Sequence, residues 1–246
     1  MNRRVVVSIQ LWLVSSIFIG CQKEVNENTD RFSGKEVTDF QMAKELILER
    51  KDNYPKVGEL APKFELFDLN SESQKSLGDL HREKPLVLIL GSGSCSILCR
   101  SDSWINAFQA NYGDRFNFSF VYIREAHTLE GYQPRSMTGS ISPLVAALDD
   151  SARKRAAAEF LKMKELTFPV LVDSVSDDVA IEYSAWPVRL FVIGTDGRVL
   201  YSGGQAPWYY HPFEAYQHSP TFDPDLKKLP QSSESLESFL EKGMAR

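Results

Sequence analysis

Runs of apolar residues, and runs in which apolar and polar residues alternate, predict the strands of this chain. Residues 85–90 are apolar throughout, which is typical of a strand buried on both faces of a sheet. Residues 63–68 alternate with a period of two, as a strand with one exposed face does. Further strands are predicted at 116–123, 168–172, 189–193 and 199–202. Asp196-Gly197 lies between the last two strands, which should therefore form a hairpin.

Helical spacing of apolar residues and a composition rich in helix formers predict the helices. These lie at 41–52, 95–112, 151–166 and 233–242. Residues 70–78 are polar and predict a turn. The order of strand, helix, strand, helix, hairpin and helix predicts an α/β fold, with a central mixed sheet flanked by helices.

The first twenty residues predict a signal peptide. Arg3 and Arg4 precede a short apolar run that ends at Gly20. Gly20-Cys21 resembles the bacterial lipobox, in which the cysteine is acylated and becomes the mature N-terminus. We therefore expect an exported lipoprotein that is anchored in the membrane through Cys21, on the periplasmic side. An ordinary signal peptide and an uncleaved anchor are the alternatives.

The remainder of the chain predicts a polar tether with a short helix at 21–56, followed by one domain at 57–246. No second apolar run is long enough to span a membrane. The net charge is −5, and no basic stripe with interleaved aromatic residues is present, which argues against a nucleic-acid partner. If Cys21 is acylated, Cys95 and Cys99 are the remaining thiols, and export places them in an oxidising compartment.

Cys95 is the leading candidate for a reactive group. It follows a buried strand and a Gly-Ser-Gly-Ser turn and begins a predicted helix, whose positive end favours the thiolate. A buried cysteine that only fills space is the alternative. Cys99 lies four residues further on and therefore on the same helix face. A disulfide between the two cysteines requires a distorted helix, whereas binding of a soft metal ion by both thiolates requires less distortion. The remaining alternative is that Cys99 is a half-buried helix residue without a chemical role.

Glu125 and His127 follow the predicted strand at 116–123, and the ends of strands in such sheets gather functional groups. Either side chain is able to act as an acid or base near a thiol, although a lone histidine is more often structural. Pro187 opens the strand that contains Arg189. Whether its peptide bond is cis or trans does not follow from the residues.

Several segments in the expected order resemble the iodothyronine deiodinase family. Val-Gly-Glu-Leu-Ala-Pro-Lys-Phe at 57–64 is similar to the start of redoxin domains, and residues 85–95 resemble the deiodinase active-site strand and turn, with Cys95 at the selenocysteine position. Tyr-Ile-Arg-Glu-Ala-His at 122–127 is the most specific match. Trp-Pro-Val-Arg-Leu at 186–190 and Tyr-Ser-Gly-Gly at 201–204 match the closing hairpin. The chain is identified as a member of this family over about 57–212.

The resemblance implies a thioredoxin-like fold and a thiol oxidoreductase in which Cys95 is the nucleophile. The family's chemistry is reductive removal of iodine from an iodinated phenol; thiol-disulfide or peroxide reduction remains open. By resemblance, Glu125 and His127 handle protons, Cys99 is a possible resolving thiol, and an external thiol supplies the electrons. Pro187 and Arg189 are expected at the substrate site, where thioredoxin folds place a cis-proline. No cofactor or metal is expected.

Two other functions remain open from the sequence. Cys-x-x-x-Cys on a thioredoxin fold with a distant histidine also resembles the SCO copper chaperones, in which Cys95 and Cys99 would bind Cu(I). A lipoprotein scaffold without chemistry is the other alternative. The expected partners are a small-molecule or thiol substrate, an external thiol reductant, and the membrane through the lipid anchor.

The chain departs from the deiodinase pattern at two positions. Gln205 stands where some deiodinases have arginine, and Val188 stands where the animal enzymes have glutamate.

Overall fold

The structure is a computed structural model that describes residues 36–99, 103–134, 144–216 and 221–243. All of these residues belong to one compact unit. The predicted signal peptide and Cys21 lie outside the described residues, and the lipid anchor stays a prediction. Within the described ranges, no helix has both the length and the apolar character needed to cross a membrane.

The described part of the chain contains one sheet of seven strands, in the order β2-β1-β5-β4-β3-β6-β7. The strands are β1 Glu65–Asp68, β2 Ser73–Ser76, β3 Leu86–Gly91, β4 Asn117–Tyr122, β5 Val170–Val172, β6 Arg189–Ile193 and β7 Val199–Ser202. The central strands β3, β4 and β5 are parallel, and all other neighbours are antiparallel. Every residue of β3 is buried, which is why its sequence shows no alternation.

The helices are α1 Phe40–Glu49, α2 Leu77–His81, α3 Ser96–Cys99, α4 Ser103–Tyr112, α5 Asp150–Lys164, α6 Asp178–Glu182 and α7 Leu236–Lys242, with a short 3-10 helix at Leu226–Lys228. Aspartate or serine caps several N-termini. Asp39 accepts a hydrogen bond from the backbone at the start of α1, and Asp149 does so for α5. Helices flank the mixed sheet, and the predicted α/β, thioredoxin-like fold is confirmed.

Among the described residues, the sequence-based elements differ from the structure at several points. The single helix predicted at 95–112 corresponds to two helices, α3 and α4. The turn predicted at 70–78 is wrong, because it contains β2 and the start of α2. Strand β2 pairs only with β1 at the edge of the sheet, so its polar residues need no buried face and give no apolar signal. Helix α6 and the 3-10 helix were not predicted.

Helix α1 belongs to the same core as the sheet. Its inner face buries Ala43, Leu46 and Ile47, and these join the hydrophobic cluster that surrounds the strands. The sequence assigned this helix to the segment before the domain. The domain boundary at residue 57 stays a prediction, but the helix itself lies against the domain and reaches the candidate site.

Candidate active site

The candidate site lies at one edge of the sheet, where three central strands bring their connections together. Strands β3 and β4 are parallel neighbours, so the turn that leads to Cys95 and the segment that follows β4 emerge at the same edge. Strand β6 runs antiparallel to β3, with Arg189 opposite Leu90, and it therefore begins at this edge. The topology thus brings Cys95, His127 and Pro187 to one region.

Hydrogen bonds fix the cysteine turn to the segment after β4. The backbone N–H and hydroxyl of Ser94 both donate to one carboxylate oxygen of Glu125, at 2.9 and 2.6 Å. The Ser94 hydroxyl also accepts from the backbone N–H of His127 at 3.0 Å, and the Ser92 hydroxyl accepts from that of Ala126 at 3.2 Å. The carboxylate of Glu125 therefore faces the turn, where it holds the backbone before the cysteine.

Tyr122 at the end of β4 also belongs to this hydrogen-bond network. Its hydroxyl donates to the other carboxylate oxygen of Glu125 and accepts from the backbone N–H of Gly93 at 3.4 Å. Burial first, and then the neighbouring carboxylate, raises the pKa of Tyr122, so the hydroxyl keeps its proton and remains a donor. A Cβ atom at position 93 would lie 3.1 Å from this hydroxyl, so a side chain there would require Tyr122 to shift slightly.

Cys95 directly precedes α3, and the residue is 1% exposed. Burial raises the pKa of its thiol to about 12, although hydrogen bonds from the backbone of Leu98 and Ile97 act in the opposite direction. The expectation that this position yields a thiolate is therefore wrong for the resting protein, because the loss of water outweighs the nearby backbone dipoles. Cys95 is a neutral thiol until a base removes its proton.

Cys99 ends α3 and is half-buried. Its thiol donates to the carbonyl of Gly93 at 3.1 Å, so it also contacts the cysteine turn. Neither Cys95 nor Cys99 is in a disulfide in the part of the chain that the structure describes. The structure therefore keeps both thiols next to the cysteine turn without a bond between them.

His127 is almost buried, and its ring is held in one tautomer. Nδ1 lies 2.8 Å from the carbonyl oxygen of Tyr132, which is only able to accept, so we assign the proton of the neutral ring to Nδ1. Burial lowers the pKa of His127, against the smaller effect of this hydrogen bond, and the ring is therefore neutral at pH 7. Nε2 is then left as a proton acceptor.

Cys95 and His127 line the same pocket, which has a volume of about 260 Å³. The other lining residues are mainly aromatic, aliphatic or proline: Phe40, Ala43, Lys44, Ile47, Ser96, Ile97, Tyr132, Pro134, Trp186, Pro187, Pro207 and Trp208. A small, largely apolar cavity with few polar groups is typical of a site for a small organic molecule. The sequence did not assign Trp208 or α1 to the site, although the aromatic, proline-broken loop around Trp208 was a signal.

Pro187 and Arg189 differ in their relation to the pocket. Pro187 lines it and follows a cis peptide bond, as does Pro207. Arg189 is fully buried outside the lining, where its guanidinium lies 4.1 Å from the ring centre of Tyr54. Burial lowers the pKa of Arg189 to about 9. The structure therefore brings Pro187 to the candidate site but does not bring Arg189 there.

Arg189 instead supports the wall of the pocket together with Gln205. Its Nε donates to the carbonyl of Gly203 at 2.9 Å, and its Nη1 lies 3.4 Å from the side-chain oxygen of Gln205. The amide nitrogen of Gln205 donates to the carbonyl of Trp186 at 2.8 Å and lies 3.4 Å from that of Ala206. The carbonyls of Trp186 and Ala206 belong to the residues that precede Pro187 and Pro207, which both line the pocket.

A metal site receives little support from the geometry. Across residues 36–99, 103–134, 144–216 and 221–243, no group of three or more histidine, cysteine, aspartate or glutamate side chains is arranged to hold a metal ion. In this part of the chain, the copper alternative rests on the thiols of Cys95 and Cys99 alone.

Comparison with known proteins supports the resemblance noted in the sequence. The family model described as iodothyronine deiodinase matches residues 18–218. The type I iodothyronine deiodinase of Xenopus laevis is 28% identical over 171 residues, which cover 69% of this chain and 65% of that protein. The thyroxine 5-deiodinase of Gallus gallus is 32% identical over 157 residues, which cover 63% of this chain and 58% of that protein. The chain thus spans less than two thirds of the length of these two relatives.

Solved structures with a similar arrangement are more distant in sequence. An uncharacterized conserved protein from Geobacillus kaustophilus has a TM-score of 0.48 and 16% identity, and the match covers 74% of this chain and 88% of that one. The thioredoxin domain of a thiol-disulfide oxidoreductase from Bacteroides vulgatus has a TM-score of 0.42 and 15% identity, with 60% and 87% covered.

Proposed function

The chain belongs to the iodothyronine deiodinase family, and we propose that it is a thiol-dependent oxidoreductase that removes iodine from a small aromatic molecule, with Cys95 as the nucleophile. The observation that carries the proposal is that Cys95 and the neutral ring of His127 line one aromatic pocket. A single ring suits a volume of about 260 Å³, which is below the ~300–1,000 Å³ of typical ligand pockets.

The first step of the proposed reaction moves one proton and two electrons. Nε2 of His127 accepts the proton of the Cys95 thiol, and the thiolate attacks the iodine of the bound aryl iodide. The S–I bond forms as the C–I bond breaks, and the ring carbon takes the proton back from the imidazolium. The carbon is reduced by two electrons, and Cys95 is oxidised to a sulfenyl iodide.

A second thiol then restores Cys95. Either Cys99 or an external thiol attacks the sulfur of the sulfenyl iodide, which releases iodide and a proton and leaves a disulfide. External thiol then reduces this disulfide by exchange: one further molecule suffices for the mixed disulfide, and two are needed for a Cys95–Cys99 disulfide. Over the whole cycle, one aryl iodide and two thiols give the deiodinated arene, iodide, a proton and one disulfide.

The raised pKa of Cys95 fits a role in which the thiolate forms only during the reaction. A thiol with a pKa of about 12 is almost fully protonated at pH 7, so a positioned base is required. Once formed, such a thiolate is intrinsically more nucleophilic than one with a low pKa. Glu125 and Tyr122 support this arrangement because they fix the turn, while His127 faces the pocket.

We propose further that Cys21 is acylated and holds this domain at the periplasmic side of the membrane. The support is the apolar run of residues 5–20 and the Gly20-Cys21 pair. Mass spectrometry of the mature N-terminal peptide tests this proposal, since a diacylated cysteine is expected and an unmodified N-terminus would refute it.

Iodide release from an iodinated phenol tests the enzymatic proposal. We would incubate the full-length chain, in mild detergent, with 3-iodo-4-hydroxyphenylacetate and dithiothreitol. We expect Cys95→Ser to abolish release, and His127→Gln to lower kcat by a factor on the order of 10²–10⁴ at pH 7. Undiminished release by Cys95→Ser would overturn the proposal.

Cys99→Ser is the matched control, because it removes a thiol next to the same turn. If Cys99 is the resolving thiol, this variant depends more steeply on the concentration of dithiothreitol. An unchanged dependence assigns resolution to the external thiol. Wild-type protein that reduces a model disulfide but releases no iodide would support the broader oxidoreductase function and reject deiodination.

A further inference from the structure

Lys44 stands apart among the described residues that line the pocket, because it carries a full positive charge. The remaining described lining residues are apolar, aromatic or proline, together with Ser96, the neutral thiol of Cys95 and the neutral ring of His127. Lys44 lies on α1, with its side chain 16% exposed. A cation beside an apolar cavity is unfavourable unless it is paired, so the partner of Lys44 decides what the side chain is able to do.

The present partner of Lys44 is Asp223. Its ammonium group forms an ion pair with a carboxylate oxygen of Asp223, whose side chain is 30% exposed. Asp223 lies just before the 3-10 helix Leu226–Lys228 and is not part of the pocket lining. Because a lysine side chain has a flexible four-carbon stem and rotatable donors, its ammonium is able to exchange one carboxylate for another nearby.

We propose that Lys44 is a specificity-determining residue that binds the acidic group of an aromatic substrate, and that Asp223 holds its ammonium group until such a substrate enters. The substrate class is then a single aromatic ring that bears a carboxylate. An anion that leaves water for this pocket needs a cation, and Lys44 supplies one. This inference rests on the proposed function in one respect, namely that the substrate binds in this pocket.

The proposal differs from a structural role for the same ion pair. If Lys44 and Asp223 only tie α1 to residues 221–229, removal of either partner has the same effect on every ligand. If Lys44 binds the substrate, loss of Lys44 weakens acidic ligands selectively. Loss of Asp223 has the opposite sign, because it removes the competing carboxylate.

Binding without turnover separates this inference from the proposed function. We would use calorimetry on the full-length chain in mild detergent, in a Cys95→Ser background that is unable to complete the reaction. The probes are 3-iodo-4-hydroxyphenylacetate and its carboxamide, which have nearly the same shape and differ in charge. The variants are Lys44→Met, Lys44→Arg and Asp223→Asn. The control is Lys51→Met, because Lys51 pairs with Asp52 and does not line the pocket.

We expect Lys44→Met to weaken binding of the acid by about tenfold or more, as for loss of a charged hydrogen bond, and to leave the amide unchanged. Lys44→Arg should restore most of the affinity, Asp223→Asn should tighten binding of the acid alone, and Lys51→Met should change neither ligand. Equal weakening of both probes by Lys44→Met, or weakening of the acid by Asp223→Asn, would overturn the proposal. Selective acid binding without iodide release by the protein with Cys95 intact would instead refute the proposed function alone.

Discussion

Substitution of Gln205 by leucine tests whether buried hydrogen bonds hold the pocket wall. Gln205 is 1% exposed, and its amide nitrogen donates to the carbonyl of Trp186 at 2.8 Å. Its side-chain oxygen lies 3.4 Å from Nη1 of the fully buried Arg189. Leucine has a similar size but neither donates nor accepts, so the substitution removes these bonds while filling most of the volume.

The magnitude follows from the groups that lose their partners. A buried carbonyl without a donor costs ~1–3 kcal/mol, and Trp186 would be left in that state. The contact between Gln205 and Arg189 is long, and the guanidinium still donates to the carbonyl of Gly203 after the substitution. For this contact we therefore add to the loss of stability only a fraction of the ~1.5–3 kcal/mol typical of a charged hydrogen bond. The expected loss is about 3 kcal/mol, or roughly 10 °C in Tm for a domain of this size.

Thermal unfolding of the full-length variants, all in the same detergent and followed by tryptophan fluorescence, measures this loss of stability. The control is Gln231→Leu, since Gln231 is exposed and makes a single 3.4 Å contact with the carbonyl of Lys227. We expect the control to remain within ~0.5 kcal/mol of wild type. A Gln205→Leu protein that unfolds together with the control would refute the assignment of Gln205 as a support of the wall.

The same substitution should affect catalysis in a defined way. Trp186 and Ala206 precede Pro187 and Pro207, which line the pocket, whereas Cys95 lies on a different turn. A loosened wall should therefore raise KM for an iodinated phenol more than it lowers kcat. A fall in kcat at unchanged KM would indicate that Gln205 acts on the thiol and not on the wall.

Three further predictions concern the cysteine turn. Alkylation of Cys95 by iodoacetamide, measured in Cys99→Ser protein, should still accelerate up to pH 10, because burial raises the pKa to about 12; a plateau at or below pH 8.5 would contradict this. The pKa of His127 lies below 6.5, so the unfolded chain binds more protons as the pH falls through that value. Wild type should therefore lose stability toward acid relative to His127→Gln, and parallel pH profiles would argue against a buried neutral ring. Ser94→Ala should lower the free energy of unfolding in urea by about 2–3 kcal/mol, because Ser94 is fully buried between Glu125 and His127. Substitution of the exposed Ser73 by alanine is the control. Equal stabilities of the two variants would be inconsistent with the network.

The sequence predicted that the cysteine turn and the Glu-Ala-His segment each follow a central strand, but it left open whether Glu125 and His127 reach Cys95. An apolar run such as 85–90 predicts a central strand, and parallel neighbours place their carboxyl ends at the same edge of a sheet. The hairpin of β6 and β7 was predicted with its observed bounds, because Asp196-Gly197 specifies the turn. These features depend on local patterns and on a general rule of topology.

Features that depend on packing between distant segments were not predictable. The apolar face of α1 shows that the helix is buried, but nothing in residues 40–49 indicates that they line the same pocket as Cys95. Arg189 precedes Leu190 within a strand that the family resemblance places at the substrate site. Only the three-dimensional structure shows that its guanidinium turns away from the pocket toward Tyr54.

The protonation state of Cys95 shows how two local rules compete. The sequence indicated a thiolate, since a helix terminus stabilises a nearby charge by ~0.3–1 kcal/mol at exposed positions. Burial instead raises the thiol pKa from 9.0 to about 12, which corresponds to about 4 kcal/mol against the charged form, so burial prevails. A thiol in this state reacts poorly with electrophiles that reach the pocket without engaging His127. In the proposed mechanism, the burial that opposes the thiolate restricts reaction to a molecule that fills the pocket while His127 accepts the proton.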